Sequence, residues 1–165
     1  MDSLADDPVE LKRQLRQQMR ALRRALPDLQ QRSERLFAHV RGIPAVSEAR
    51  MVMAFSSVHG EPLTDKFVAW CRAEGKTVVM PEDDPAPDPS RIDVVIVPGT
   101  AFTLDGHRLG QGGGWYDRFL PQLAPNCLKI GVCFEPQLIT QLPVEPHDVQ
   151  LDVVITDAGP APRDG

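Results

Sequence analysis

The sequence has only three cysteines in 165 residues, and Cys71, Cys127 and Cys133 form no CxxC or CxxH pattern. That spacing argues against a disulfide framework or a structural zinc site. Their apolar surroundings point to reduced, buried thiols, and nothing nearby marks one as an activated nucleophile. No apolar run approaches membrane-spanning length, and the N-terminus is acidic and then helical rather than leader-like. The expectation is a protein of the reducing cytoplasm with no membrane association. Positive charge is not in excess either. The net charge of −5 argues against broad nucleic-acid binding, which needs a basic face. No internal repeat and no second-domain linker is visible.

What the chain does have is periodicity. Asp7-Pro8 is a helix start, and Leu11, Leu15, Met19, Leu22 and Leu26 recur at helical spacing. Lys12, Arg13, Arg16, Arg20, Arg23 and Arg24 share that helix. Pro27-Asp28 begins a second helix that runs to about Val40. Further on, 51–55, 76–80, 92–97, 129–134 and 151–156 read as short buried strands, with helices over 62–74, from Gly113 or Gly114 to about Leu123, and over 136–142. The alternation predicts an α/β fold, a single domain over 1–165 with a mainly parallel central sheet flanked by helices. Residues 1–7 and 158–165 are expected to be flexible. Ligands of such sheets bind outside the carboxyl ends of the strands. Glu61, the 98–114 loop, Glu135 and the 143–148 loop all follow strands and so are candidates to converge.

The chemistry is concentrated in Arg108-Leu109-Gly110-Gln111-Gly112-Gly113-Gly114-Trp115-Tyr116-Asp117-Arg118. Clustered glycines allow close backbone approach and positive φ. Successive N–H groups followed by a helix start form an anion nest. Arginine forks suit phosphate oxygens, and Asp117 suits a magnesium ion shared with them. Trp115 and Tyr116 offer stacking faces for a flat ligand. The string lacks the Gly-Lys-Ser/Thr ending of a Walker loop and the context of a Rossmann turn.

Together with Val97-Pro98-Gly99-Thr100-Ala101-Phe102, Leu142-Pro143-Val144-Glu145-Pro146-His147-Asp148 and His59-Gly60-Glu61-Pro62-Leu63-Thr64, this string resembles the 5-formyltetrahydrofolate cyclo-ligases, in order and in spacing. The Leu11–Arg16 segment resembles the family's opening helix. The resemblance implies the cyclo-ligase (NagB/RpiA/CoA-transferase-like) architecture and an ATP- and Mg²⁺-dependent ligase. In that reaction the γ-phosphoryl group passes to the formyl oxygen of 5-formyltetrahydrofolate. The second folate nitrogen then closes the ring, giving 5,10-methenyltetrahydrofolate, ADP and phosphate.

Carried over by position, Lys12, Arg16, Arg108, Leu109, Gly110, Gln111, Gly112, Gly113, Gly114, Trp115 and Tyr116 would bind ATP. Arg108 and Asp117 would be catalytic, Asp117 and Asp148 would hold the metal, and Glu61 and Trp115 would bind the reduced folate. Trp115-Tyr116 stands where the family usually has Tyr-Tyr. Glu61 could instead cap the helix that follows it, and Asp148 could hold a turn; His107 and His147 read as loop structure. The expected partners are reduced folate and ATP, with no nucleic acid and no membrane, and the expected assembly is a monomer or weak homodimer. Family members usually carry a few dozen more residues between Met80 and Ile92, which contribute to the folate pocket. Here only the connector 81–91 remains. Two other readings stay open at this stage: an ATP-dependent enzyme acting on a different small substrate, and a non-catalytic nucleotide- or folate-binding protein.

Overall fold

The computed structural model describes residues 7–160. Its centre is a six-stranded sheet of mostly parallel strands. Ten elements lead to and through it before the site loops: helices α1 (Pro8–Ala25), α2 (Leu29–Arg41), α3 (Pro44–Glu48) and α4 (Asp65–Ala73), and strands β1 (Met51–Met53), β2 (Thr77–Val79), β3 (Val94–Val97), β4 (Ala101–Phe102) and β5 (Arg108–Leu109), then helix α5 (Trp115–Phe119). Strands β6 (Leu128–Val132), β7 (Val153–Thr156) and β8 (Gly159–Pro160) complete the chain. The sheet order is β2-β1-β3-β6-β7-β8, and β4 and β5 form a separate antiparallel pair. All pairings in the large sheet are parallel except β7 with β8. This is the α/β architecture expected from the alternation of elements.

Side-chain alternation along each strand feeds two apolar layers. Val94 and Ile96 of β3 join Ile130 and Val132 of β6 on one face, where Leu36, Phe37 and Val40 of α2, Val46 of α3 and Phe67 and Cys71 of α4 cover them. Val95 and Val97 point the other way, toward Phe102, Phe119, Leu120, Leu123 and Cys133. Each fully buried phenylalanine in these layers, such as Phe67 or Phe102, stabilises the fold by roughly 1.5–3 kcal/mol. All three cysteines are buried and free, and burial pushes the Cys71 and Cys127 thiols up to about 11, as inert core thiols require.

Helix α1 lies outside both layers. Its Leu15, Met19 and Leu22 pack on Ala101 and Leu109 of the small hairpin and on Ile139 and Leu142. The Asp7 side chain accepts from the Val9 N–H and Pro8 occupies the first turn, so the predicted start holds. Lys12 and Arg16 lie on the same buried side of α1 as Leu15 and Met19, flanking the docked apolar stripe where it meets the cleft.

Several sequence expectations are corrected. Helix α4 begins at Asp65 rather than Pro62, because the Leu63 and Thr64 N–H groups donate to the Ser33 and Ser57 hydroxyls instead of waiting for a helix. Helix α5 stops at Phe119, and residues Leu120–Gln122 form a 3₁₀ turn around Pro121, which lacks the N–H a continuing helix uses. Of 136–142 only Glu135–Gln137 is helical, as a 3₁₀ turn; Ile139 instead donates to the Phe102 carbonyl. The 98–111 loop contains the β4–β5 hairpin, whose turn is closed by Gly106 at φ 92°. A Cβ on Gly106 would lie 2.3 Å from the Leu151 carbonyl oxygen, so that turn admits only glycine. Residues 158–160 are not a loose tail, since Gly159–Pro160 pairs with β7. The expected flexibility of 1–6 and 161–165 falls outside the described residues.

Candidate active site

The carboxyl ends of β1, β2 and β3 open into one cleft of about 480 Å³. Its lining includes Lys12, Arg16, Glu61, Arg108, Leu109, Gly110, Gln111, Gly112, Gly113, Gly114, Trp115, Tyr116, Asp117 and Asp148. Each site residue carried over by position therefore lines this cleft. Glu135 does not. Its N–H is held by the Asp157 carboxylate, and its side chain is exposed away from the cleft.

The glycine string owes its shape to two residues. Gly112 and Gly114 have φ values of 112° and 72°, which L side chains avoid. A Cβ on Gly113 would meet no protein atom within 4 Å, so the protein itself does not demand glycine there. The position leaves open room in the cleft wall beside free backbone donors. Helix α5 has only five residues, so local N–H groups, rather than a long macrodipole, supply its positive end. Helix α1 fixes the string from across the chain: the Arg16 Nε donates to the Gly110 carbonyl at 2.9 Å and Arg20 Nη2 to the Gln111 carbonyl at 3.0 Å.

Arg108 is a deeply enclosed cation of the cleft. Its side chain is 7% exposed. The Nε donates to the Pro98 carbonyl at 2.6 Å, its guanidinium lies 4.9 Å from the centre of the Tyr116 ring, and Nη1 is 3.9 Å from an Asp117 oxygen. Burial lowers its pKa from the usual arginine value, with Asp117 opposing; an arginine stays charged nonetheless. Burial likewise raises the Tyr116 phenol. The Trp115 ring stacks on Phe119 at 4.7 Å.

Opposite lies an acidic corner. Lys12 Nζ bonds to Asp148 at 2.9 and 3.2 Å and to Glu145 at 3.0 Å. The Asp148 carboxylate also accepts from the Glu145 N–H at 2.8 Å, so it does hold a turn, and binds Lys12 besides. Burial works against ionising Asp148, yet the Glu145 N–H and Lys12 outweigh it and the pKa falls below the ordinary carboxylate value. For Lys12, burial is likewise outweighed, by Asp148 and Glu145, and its pKa rises. Donor atoms of Asp117, His147 and Asp148 lie within 4.8 Å of one another. Two carboxylates facing the cleft fit a hard, oxygen-seeking cation such as Mg²⁺, which keeps waters and shares phosphate oxygens.

Glu61 is buried at the other end of the cleft. One oxygen accepts from the Val58 N–H at 2.9 Å and the other from Gln111 Nε2 at 3.4 Å. With α4 starting at Asp65, Glu61 is not a helix cap; burial raises its pKa above the usual value. The short connector also takes part. Pro81 and Glu82 line the cleft, and the Ser56 hydroxyl donates to Glu82. Sequence reasoning missed Glu82, Glu145 and a cleft position for His147. Glu145 and His147 stood within the quoted 142–148 segment, and their proximity to Asp148 was the available signal.

The fold and the cleft define an α/β protein whose arginine- and glycine-lined cleft, with a pair of carboxylates beside it, opens at the carboxyl edge of a parallel sheet. The description "5-formyltetrahydrofolate cyclo-ligase family" matches residues 8–88 and 83–157, and the chain belongs to that family. The two matched segments meet inside the shortened connector. A 5-formyltetrahydrofolate cyclo-ligase of Mycoplasma pneumoniae is 43% identical over 70 residues, 42% of each chain. A Caenorhabditis elegans relative is 27% identical over 192 aligned positions, 88% of this chain and 92% of its own. That alignment is longer than the 165 residues of this chain, so the relative carries segments this one lacks. The solution structure of Aquifex aeolicus 5,10-methenyltetrahydrofolate synthetase superposes with a TM-score of 0.80 at 26% identity, covering 94% of both chains. The matched region spans only 32–42% of the length of several curated relatives. Among the described residues, no helix is long and apolar enough to cross a membrane.

Proposed function

We propose that the protein converts 5-formyltetrahydrofolate to 5,10-methenyltetrahydrofolate with conversion of ATP to ADP and phosphate. The observation that carries this reading is the gathering of Lys12, Arg16, Glu61, the Arg108–Asp117 string and Asp148 around one cleft in a chain of this family. In the proposed reaction the formyl oxygen takes the γ-phosphoryl group. The second folate nitrogen then attacks the activated carbon, gives up its proton, and phosphate leaves.

No protein nucleophile is required, so the residues act by alignment and charge neutralisation. Arg108, held rigidly by Pro98 and Tyr116, presents its guanidinium fork to phosphate oxygens. The 110–114 backbone cradles them, with Arg16 fixing the string and Lys12 supplying a further positive charge. Asp117 and Asp148 would hold Mg²⁺, which when bound neutralises charge on the transferring phosphate. Glu61 accepts hydrogen bonds from the organic substrate, and Trp115 lines its pocket. The short connector favours one second reading, a smaller substrate than a whole folate. In that case Pro81 and Glu82 close the wall where longer relatives carry more chain.

The test is to mix the purified protein with (6S)-5-formyltetrahydrofolate, Mg²⁺ and ATP and follow methenyl-folate absorbance in the near ultraviolet. An ATP-dependent rise is expected, and it should be lost in Asp117→Ala. ATP binding with no rise would sink the reading and favour a different substrate.

A further inference from the structure

Helix α1 carries a buried charge that the mechanism above does not use. Arg23 is 5% exposed, and among the described residues its buried Nε and Nη1 have no hydrogen-bond partner. Burying the donors of a charged group without acceptors is costly, so the placement of this guanidinium calls for a reason. Lys12 and Arg16, earlier on the same helix, line the cleft, and Arg23 does not.

Arg23 lies instead beneath the turn that carries Glu61. A Cβ on Gly60 would sit 3.5 Å from Arg23 Cγ and 3.6 Å from its Nε, so the side chain runs along the backbone just before Glu61. His59 and Gly60 bend over it with φ of 50° and 82°. The turn is closed twice. The Glu61 N–H donates to the Val58 carbonyl at 3.0 Å, and the Val58 N–H donates to the Glu61 carboxylate at 2.9 Å. A closed turn packed on a buried side chain holds the two charges at a fixed separation.

The surrounding charges single out this pair. Arg20 and Arg24, on the same helix, oppose the charge on Arg23, and Glu61 is the carboxylate that favours it. Glu61 is 3% exposed. Burial works against its ionised form, while the Val58 N–H, Arg23, the Gln111 amide and His59 work for it. Arg108 and Tyr116 interact with it from β5 and α5.

We propose that Arg23 is a positioning residue of the cleft, whose buried charge beneath the 58–61 turn keeps Glu61 a carboxylate able to accept hydrogen bonds from the organic substrate. The role of Glu61 toward that substrate rests on the reading above; the coupling of the two charges does not. A protonated carboxyl loses acceptor capacity, and a charge in a buried site acts more strongly at a distance than one in water.

Arg23→Met and Arg23→Lys are made in the full chain, their folding checked by circular dichroism, and KM for 5-formyltetrahydrofolate is followed between about pH 5 and 8. Arg23→Met should raise KM about tenfold in the acidic part of that range, with the gap closing as pH rises and Glu61 ionises in both proteins. Arg23→Lys should follow the parent. A gap of equal size at every pH, or a lysine variant with the profile of the methionine one, overturns the proposal. The comparison is repeated in a His59→Asn background, since asparagine tolerates positive φ and does not titrate there; loss of the gap in that background assigns it to His59 and overturns the proposal. A second arm needs no substrate. The carboxyl carbon resonance of Glu61, in protein carrying isotope-labelled glutamate and assigned with Glu61→Gln, should titrate at higher pH in Arg23→Met than in the parent or Arg23→Lys. An unchanged midpoint overturns the coupling. Failure of turnover in the parent speaks against the cyclo-ligase reading and leaves this titration to decide the role of Arg23.

Discussion

Replacing Asp148 with asparagine tests the acidic corner most directly. In the parent, the Asp148 carboxylate accepts from Lys12 at 2.9 Å and from the Glu145 N–H at 2.8 Å, with its side chain only 11% exposed. Asparagine keeps the shape and one acceptor oxygen but loses the charge. A hydrogen bond to a charged group is worth about 1.5–3 kcal/mol. Removing one negative charge next to Glu145 and Asp117 relieves some repulsion, so a net loss of about 1–2 kcal/mol is expected at pH 7. For a chain of this length that corresponds to a fall of about 2–8 °C in Tm. The pH dependence has a definite sign. The folded pKa of Asp148 is depressed, so its contribution is fully present above the ordinary aspartate range and is lost as pH falls through the folded value. The gap between parent and variant should therefore be widest near neutrality and close below about pH 4. Activity should fall about 100-fold or more, as for loss of one group that stabilises transition-state charge. The assays are thermal unfolding by circular dichroism across pH, the near-ultraviolet turnover assay, and a double-mutant cycle with Lys12→Met. Unchanged stability at pH 7, or strict additivity in the cycle, would refute the account of Lys12 and Asp148 as a coupled pair.

Other consequences follow from the same geometry. Gly106→Ala forces a Cβ to within 2.3 Å of the Leu151 carbonyl oxygen at a φ of 92°; a loss of about 3 kcal/mol or more is expected, read as low soluble yield or a sharply lower denaturation midpoint. Glu61→Gln removes a buried carboxylate whose pKa is raised. Such a group favours the folded state less as pH rises through its folded value, so the variant should be more stable than the parent at pH 7. Its KM for the organic substrate should nonetheless rise about tenfold. The thiols Cys71 and Cys127, pushed up to about 11, should resist a thiol-specific disulfide reagent at pH 8 in the native protein and react promptly once guanidinium unfolds it. Rapid native-state labelling would contradict their burial.

Much of this arrangement is legible in the sequence because its signals are local. The Ile92–Val97 run names a doubly covered strand, and Asp7-Pro8 names a helix start. The glycine string names its own nest. What escapes is settled by distant partners. Helix α4 starts late because Ser33 and Ser57, far from Leu63 and Thr64 in the chain, take their N–H groups. Strand β8 exists only because β7 is there to pair with it. The hairpin of β4 and β5 is too short for any periodicity to show. The cleft residues are legible by kind and by family likeness, whereas Glu82 and the unpaired Arg23 emerge only when the chain is folded. No local pattern distinguishes Arg23 from its exposed neighbour Arg24.

Lys12 and Asp148 stand 136 positions apart, yet they share hydrogen bonds, and Arg16 reaches 94 positions to Gly110. The cleft is thus closed like a clasp by segments far apart in the chain. Lys12 finds its carboxylate partners only once a loop 136 positions further along the chain is in place. The same clasp ties occupancy to the first helix. Anything gripping both the glycine string and the acidic corner also grips α1, so a bound ligand should slow protease cutting of that helix long before it alters the sheet behind it.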